Sequence, residues 1–180
     1  MKKYKKILIV THQYLPHVSP RTTRWKLLVD ELITKGHKVT ILTGMYPDFD
    51  KNNVEILYFG NKNNLNIVSN LRARSKQVSS GDKIKKLFFG ILKKIYRFFI
   101  NYLAWPDYSM YWLYQIYKNR SHISKDYDVI VSVSLPFSSH IAAYFINKNV
   151  KKHWIMDIGD PFSLKVDAPE NNRFLYSGLN

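Results

Sequence analysis

Ile7 to Thr11 is a short apolar run with β-branched residues, bounded by polar ones, and it predicts a buried strand. From Arg21 to Lys35 the apolar positions are Trp25, Leu28, Val29, Leu32 and Ile33, the spacing of one helical face. Ser19 can cap this helix with Pro20 at its first position, and Gly36 ends it as a C′ residue. Lys38–Thr43 and Val54–Phe59 predict a second and a third strand, Asp128–Ser134 (DVIVSVS) a fourth and Lys152–Asp157 (KHWIMD) a fifth. A helix is expected from about Phe137 to Lys148.

Apolar strands alternating with helices imply a parallel sheet covered on both faces. The expected fold is therefore α/β: a Rossmann-like sheet of about five strands in the order 3-2-1-4-5, with right-handed crossovers. Two segments interrupt the alternation. Lys83–Leu103 predicts a basic amphipathic helix inserted into the domain, and Asp107–Ser124 a helix rich in aromatics: Tyr108, Tyr111, Trp112, Tyr114 and Tyr117. Asn61–Asp82 is polar and predicts a loop, and the chain turns irregular after Asp160.

The chain has 180 residues, 46% of them hydrophobic and 23% charged, which fits one globular domain over 1–180 rather than a disordered chain. It contains no cysteine, so disulfides, cysteine zinc sites, iron–sulfur clusters and a cysteine nucleophile are excluded. Lys2, Lys3, Lys5 and Lys6 imitate the basic start of a secretory signal, but the apolar run behind them is too short for one. No uncharged apolar stretch reaches the roughly 18 residues of a spanning helix. The net charge of +15 points to an anionic partner: nucleic acid, an anionic membrane face or a phosphorylated substrate.

Ligands of open α/β sheets sit beyond the carboxyl ends of the strands. Three loops would meet there: His12–Pro20, Ser134–His140 and Asp157–Ser163. The first, HQYLPHVSP, has no glycine, and Walker A is absent, so dinucleotide and P-loop readings are weak. Arg21 and Arg24 at the following helix start are candidates for a phosphate or sugar-acid contact, or simply a solvated first turn. His12 and His17 are candidates for proton transfer and substrate contact, against the plainer reading of exposed loop histidines. Ser138 and Ser139 can cap the following helix, with Ser138 and His140 as candidate substrate contacts. Asp157 and Asp160 can orient a hydroxyl or act as a base, or serve turn chemistry beside Gly159 and Pro161. No metal-binding spacing occurs, and no Ser-His-Asp triad can be assembled.

Between Arg72 and Arg97 lie nine basic residues and one acid, more than half of the net charge. Stepping about 100° per residue, Lys83, Lys86, Lys93, Lys94 and Arg97 form one arc. Ile84, Phe88, Ile91, Leu92, Ile95, Phe98, Phe99, Tyr102 and Leu103 form the opposite, wide one, with Lys85 breaking the pattern. Such a helix suits a membrane surface, with Trp105, Tyr108 and Trp112 at headgroup level. The alternatives are a helix packed on the sheet with snorkelling lysines, or a docking face for another domain or chain. A nucleic-acid partner is the weaker reading, because no recognised nucleic-acid-binding pattern accompanies the basic residues.

Four stretches together resemble the N-terminal domain of family-4 glycosyltransferases with the GT-B fold, of the kind that build bacterial surface polysaccharides. They are KILIVTHQYLPHVSPRTTRWKLLVDELITKGHKVTILTG (6–44), PDYSMYWLYQIYKN (106–119), DYDVIVSVSLPFSSHIAAYF (126–145) and WIMDIGDPFS (154–163). The resemblance implies a two-domain enzyme whose N-terminal domain binds the acceptor, often a lipid-linked sugar, and meets the membrane through basic and aromatic helices. It implies a retaining transfer from a nucleotide-sugar, with no metal or other cofactor. Asp157 and Asp160 match the acidic positions of the fourth stretch. Val18, Ser19 and Pro20 stand where many relatives carry paired glycines, and Gly159 where many carry Arg.

These readings converge on the acceptor and membrane side of a glycosyltransferase, peripheral at the inner face of the cytoplasmic membrane. The donor-binding half is expected to be missing from a truncated chain, or supplied by a separate donor-binding chain, and the chain alone is expected to be inactive. The rival classes are a non-enzymatic membrane-bound subunit and a nucleic-acid-binding domain. The expected membrane contacts are Lys86, Lys93, Lys94, Arg97, Phe88, Phe98, Phe99, Trp105 and Trp112.

Overall fold

The computed structural model describes residues 4–45, 54–60, 90–92, 94–95, 98, 107–134 and 136–159. The sheet has five strands: β1 (Lys6–Val10), β2 (Lys38–Thr43), β3 (Glu55–Tyr58), β4 (Val129–Val133) and β5 (His153–Asp157). All pairings are parallel and the order is β3-β2-β1-β4-β5, as expected. The helices are α1 (Pro20–Thr34), α2 (Met110–Asn119), running into a 3-10 turn at Arg120–His122, and α3 (Ser138–Asn147).

Strand alternation sorts the core into two layers. Ile7 and Ile9 point to one face with Val39, Ile41, Val129 and Val131, where Trp25 and Val29 of α1 cover them. Leu8, Val10, Leu42 and Ile130 point to the other face, covered by Trp112, Leu113 and Ile116 of α2 and Ala142 and Ala143 of α3. The chain steps from β1 to β2 in one direction and from β1 to β4 in the other. Right-handed crossovers then force α1 and the α2–α3 pair onto opposite faces. The strand order reverses at β1, and in sheets of this kind the ligand crevice lies at such a point, here at the carboxyl ends of β1 and β4.

The start of α1 is the one the sequence predicts. The Ser19 side chain accepts from the Thr22 N–H at 3.2 Å, and Thr22 Oγ1 accepts from the Ser19 N–H at 2.8 Å. Gly36 takes φ +87° beyond the helix end, with the Tyr4 ring closing over it. One expected core position turns outward: Leu28 is 44% exposed. Residue 28 faces away because the buried stripe of α1 runs through Thr22, Trp25 and Val29. The expected aromatic helix is shorter than its pattern, since the turn at 120–122 ends it.

Candidate functional site

β1 delivers His12 to the crevice, and the loop behind it is held at several points. Thr11 Oγ1 donates to the Gln13 carbonyl, the His17 N–H donates to the Tyr14 carbonyl, and Gln13 Nε2 donates to Tyr108 Oη at 3.0 Å. The His12 ring stands edge-on to Tyr108 and Trp112, with centroids 5.6 and 5.1 Å away. Gly44, just past β2, makes room for it. A Cβ there would lie 2.4 Å from His12 Cδ2 and 2.9 Å from Trp112 Cδ1. Burial pushes the imidazole down to about 4, with Asp107 pulling it back up and His17 adding to the fall. His12 is therefore uncharged at neutral pH and a weak base. Its Nδ1 and the neighbouring Trp112 Nε1 are both shut from solvent without a hydrogen-bond partner.

Asp107 is the buried carboxylate of the site. Its Oδ1 accepts from the Ser109 N–H at 2.9 Å, Ser109 Oγ at 2.6 Å and Ser138 Oγ at 2.8 Å. Its Oδ2 accepts from the Ser138 N–H at 2.9 Å. Four donors compensate the charge, and two of them come from the first residue of α3, where the helix dipole favours an anion. The reason lies in the caps: neither Ser109 before α2 nor Phe137 before α3 makes a side-chain cap bond. Asp107 fills both places at once. The expectation that Ser138 and Ser139 cap α3 by themselves is thus corrected. Both lie inside the first turn, and the capping group arrives from 31 residues upstream.

At α3, His140 is 3% exposed and its Nδ1 lies 2.7 Å from Ser132 Oγ. Trp154 Nε1 donates to the same oxygen at 2.8 Å. If the serine proton goes to His140 Nδ1, the imidazole proton sits on Nε2, and one buried atom stays unpaired rather than two. Burial lowers this imidazole also, against the pull of Asp157. His140, the expected substrate contact, has its ring against Phe137 and Ser132, with Nε2 buried and without a hydrogen-bond partner among the described residues.

Asp157 ends β5 and meets α1. Its Oδ2 accepts from Arg24 at 2.5 Å and from Trp25 Nε1 at 2.7 Å. Two predicted residues, Arg24 and Asp157, are thereby brought together, although 133 positions separate them in the chain. Ser134 Oγ closes the same corner by donating to the Asp157 carbonyl and accepting from the Gly159 N–H. Arg21 is half-buried and His17 is exposed at the loop mouth. Among the described residues, no group of three His, Asp or Glu side chains could hold a metal ion.

No family model and no curated protein matches the chain. The site therefore rests on its own geometry.

Of the expected membrane contacts, Trp112 is corrected: it is 2% exposed, the anchor of α2 beneath His12. Tyr108 likewise packs against His12 and Gln13 rather than standing free. Residues 90–92, 94–95 and 98 are helical and exposed, Lys94 among them. Ile91, Leu92, Ile95 and Phe98 are 48%, 40%, 61% and 58% exposed and fall on one arc of that helix, so the alternative of an apolar face buried on the sheet fails at these positions. Lys86, Phe88, Lys93, Arg97, Phe99, Trp105 and Asp160 lie outside the described residues. No helix among the described residues is long and apolar enough to cross a membrane.

The sequence reading missed Asp107 and Gly44. Asp107 could have been found: an Asp two residues before Ser, after Pro106 and at the start of a helical pattern, is capping chemistry. Gly44 had no such signal, because its need arises from two rings brought in by distant segments.

Proposed function

We propose that this chain is the acceptor-side, membrane-facing domain of a glycosyltransferase that moves a sugar from a nucleotide-sugar to a lipid-linked or polysaccharide acceptor. The observation that carries the reading is the pair of buried, unpartnered nitrogens, His12 Nδ1 and Trp112 Nε1, beside the Tyr108 ring in the crevice between β1 and β4. Buried polar atoms without partners call for one, and a hydroxyl both donates and accepts. Aromatic walls with a few oriented polar groups are the usual lining for a small polar ligand. A neutral imidazole there holds a hydroxyl in place more readily than it removes its proton. The exposed apolar arc at Ile91, Leu92, Ile95 and Phe98, with exposed Lys94 on the same helix and the basic residues that flank it in the sequence, supports docking on an anionic leaflet. The proposed location is the inner face of the cytoplasmic membrane.

The test is transfer of label from a panel of nucleotide-sugars into lipid-extractable product, using membranes from cells that express the protein from its native locus. Incorporation above a deletion strain is expected, and His12→Ala should lower it by about tenfold to a hundredfold through lost positioning. No incorporation above the deletion strain from any donor overturns the reading.

A second reading has its own support. Among the described residues β5 pairs only with β4, and Ile155, Met156 and Ile158 are 46%, 41% and 58% exposed there. An apolar edge strand of this kind suits a non-enzymatic, membrane-bound subunit that docks a donor-binding chain. Co-purification of a second α/β chain, lost in Ile155→Lys, would favour it.

A further inference from the structure

At the opposite, amino-terminal end of the sheet, a cavity of about 340 Å³ opens between the C-terminal ends of α2 and α3 and the start of β4. Its wall is apolar, with Tyr127, Phe145 and Ile146 among the lining side chains, and its remaining lining includes Lys118, Arg120, Lys125 and Lys152. None of the lining residues is acidic. Two helix C-termini point toward it, and each carries roughly half a negative charge. Together they offset about one of the four cations, so a clear positive excess remains. Among the described residues none of the four forms a salt bridge; Asp126, bridged to Lys6, also feels the charge of Lys152, which leaves Lys118, Arg120 and Lys125 as the larger part of the positive excess. Arg120 is held in place, its guanidinium 4.0 Å from the centre of the Tyr117 ring and donating to the Tyr117 carbonyl.

The exposed cations Lys118, Arg120 and Lys125, with half-buried Lys152, surround an opening floored by buried Tyr127 and half-buried Phe145 and Ile146, a lining complementary to an anion with an apolar body. We propose that this cavity binds an amphipathic anion: a phosphate or similar headgroup among Lys118, Arg120, Lys125 and Lys152, with a hydrocarbon chain or ring against Tyr127, Phe145 and Ile146. The site is separate from the crevice at the carboxyl end of the sheet and does not depend on what that crevice does.

The probe is octyl phosphate, titrated into the protein by calorimetry below its micelle concentration, with octyl glucoside and inorganic phosphate as comparisons. Saturable binding is expected for octyl phosphate, and it should weaken about tenfold or more in the Lys125→Gln/Lys152→Gln double variant. Lys26→Gln/Lys35→Gln removes the same charge from α1 and should change binding by less than about twofold, because α1 covers the opposite face of the sheet and neither residue lines the cavity. Absence of saturable binding overturns the proposal, as does equal loss in the control. Equal affinity for inorganic phosphate or for octyl glucoside also overturns it, since either head or tail would then be irrelevant. Vesicles of phosphatidylglycerol and phosphatidylcholine separate two sources of the same chemistry. If the cavity variant weakens vesicle binding, the headgroup belongs to a lipid surface; if vesicle binding is unchanged while octyl phosphate is lost, the ligand is a soluble amphiphile.

Discussion

The Asp107 carboxylate takes hydrogen bonds from both the backbone N–H and the hydroxyl of Ser138, at 2.9 and 2.8 Å, and so ties the start of α2 to the start of α3. Asp107 is 1% exposed and Ser138 fully buried, so this tie lies inside the molecule, next to the crevice that holds His12.

Replacing Asp107 by Ala strands the buried N–H groups of Ser109 and Ser138 together with both hydroxyls. The expected loss is about 2–4 kcal/mol in urea unfolding, the scale of a buried polar network left unpaired. Asp107→Asn keeps one acceptor oxygen and should lose about half as much. A change below about 0.5 kcal/mol for Asp107→Ala would show that the carboxylate does not hold the two helices.

Gly44→Ala places a methyl group 2.4 Å from the His12 ring and 2.9 Å from the Trp112 ring. Overpacking of this kind costs about 1–3 kcal/mol. The indole of Trp112 should shift its fluorescence in the variant, because the methyl pushes on that ring. An unchanged spectrum and unfolding midpoint would mean that the crevice is wider than described.

The Arg24–Asp157 pair is half open to solvent, with side chains 50% and 25% exposed. Arg24→Ala should therefore cost at most about 1 kcal/mol. Asp157→Ala also removes the acceptor of the Trp25 indole N–H and should cost about 1–2 kcal/mol more. A double-mutant cycle checks this ordering. If Arg24→Ala proves the more damaging, the ion pair rather than the indole bond holds β5 to α1.

Stability should fall as the solution becomes acidic. His12 titrates near 4 in the folded chain against an ordinary value of 6.5, so the unfolded chain takes up its proton first. Its contribution is complete above about pH 6.5 and is lost as the pH falls toward 4. The full difference is about 3 kcal/mol. His140, also lowered by burial, acts in the same direction. Urea midpoints measured from pH 7 to pH 4.5 should decline less steeply in His12→Gln than in the wild type. Parallel curves would place the acid sensitivity elsewhere.

Reversing Lys93, Lys94 and Arg97 to Glu should weaken binding to vesicles that contain phosphatidylglycerol by about a hundredfold or more, since each basic residue near an anionic leaflet contributes about 1 kcal/mol. Ile91→Ser with Ile95→Ser should weaken it further and without salt dependence, because both side chains are exposed on the apolar arc. Sedimentation with vesicles at two salt concentrations separates the two effects. Unchanged binding in the charge-reversed protein would remove the membrane account of this helix.

The strands and the α1 caps were legible in the chain because they depend on neighbours in sequence: runs of β-branched residues, a helical stripe, Ser19 before Pro20, Gly36 after the last turn; the sheet order followed from the alternation of strands and helices with right-handed crossovers. The direction of single side chains was less legible. Trp112 and Tyr114 look alike in an aromatic helix, yet one is 2% and the other 56% exposed, because packing on Leu8, Val10 and Leu42 selects the face. Leu28 turned outward for the same reason.

By itself, then, the sequence determined the local grammar of this protein: five apolar strands and their connecting helices. Only the tertiary structure decided which polar groups meet. Asp107 with Ser138, Arg24 and Trp25 with Asp157, and His12 with Gly44 and Trp112 are pairings across distant segments. The physical reason is that hydrogen bonds and ring contacts act over a few ångströms in space, whereas sequence patterns carry only the periodicity of each element along the chain.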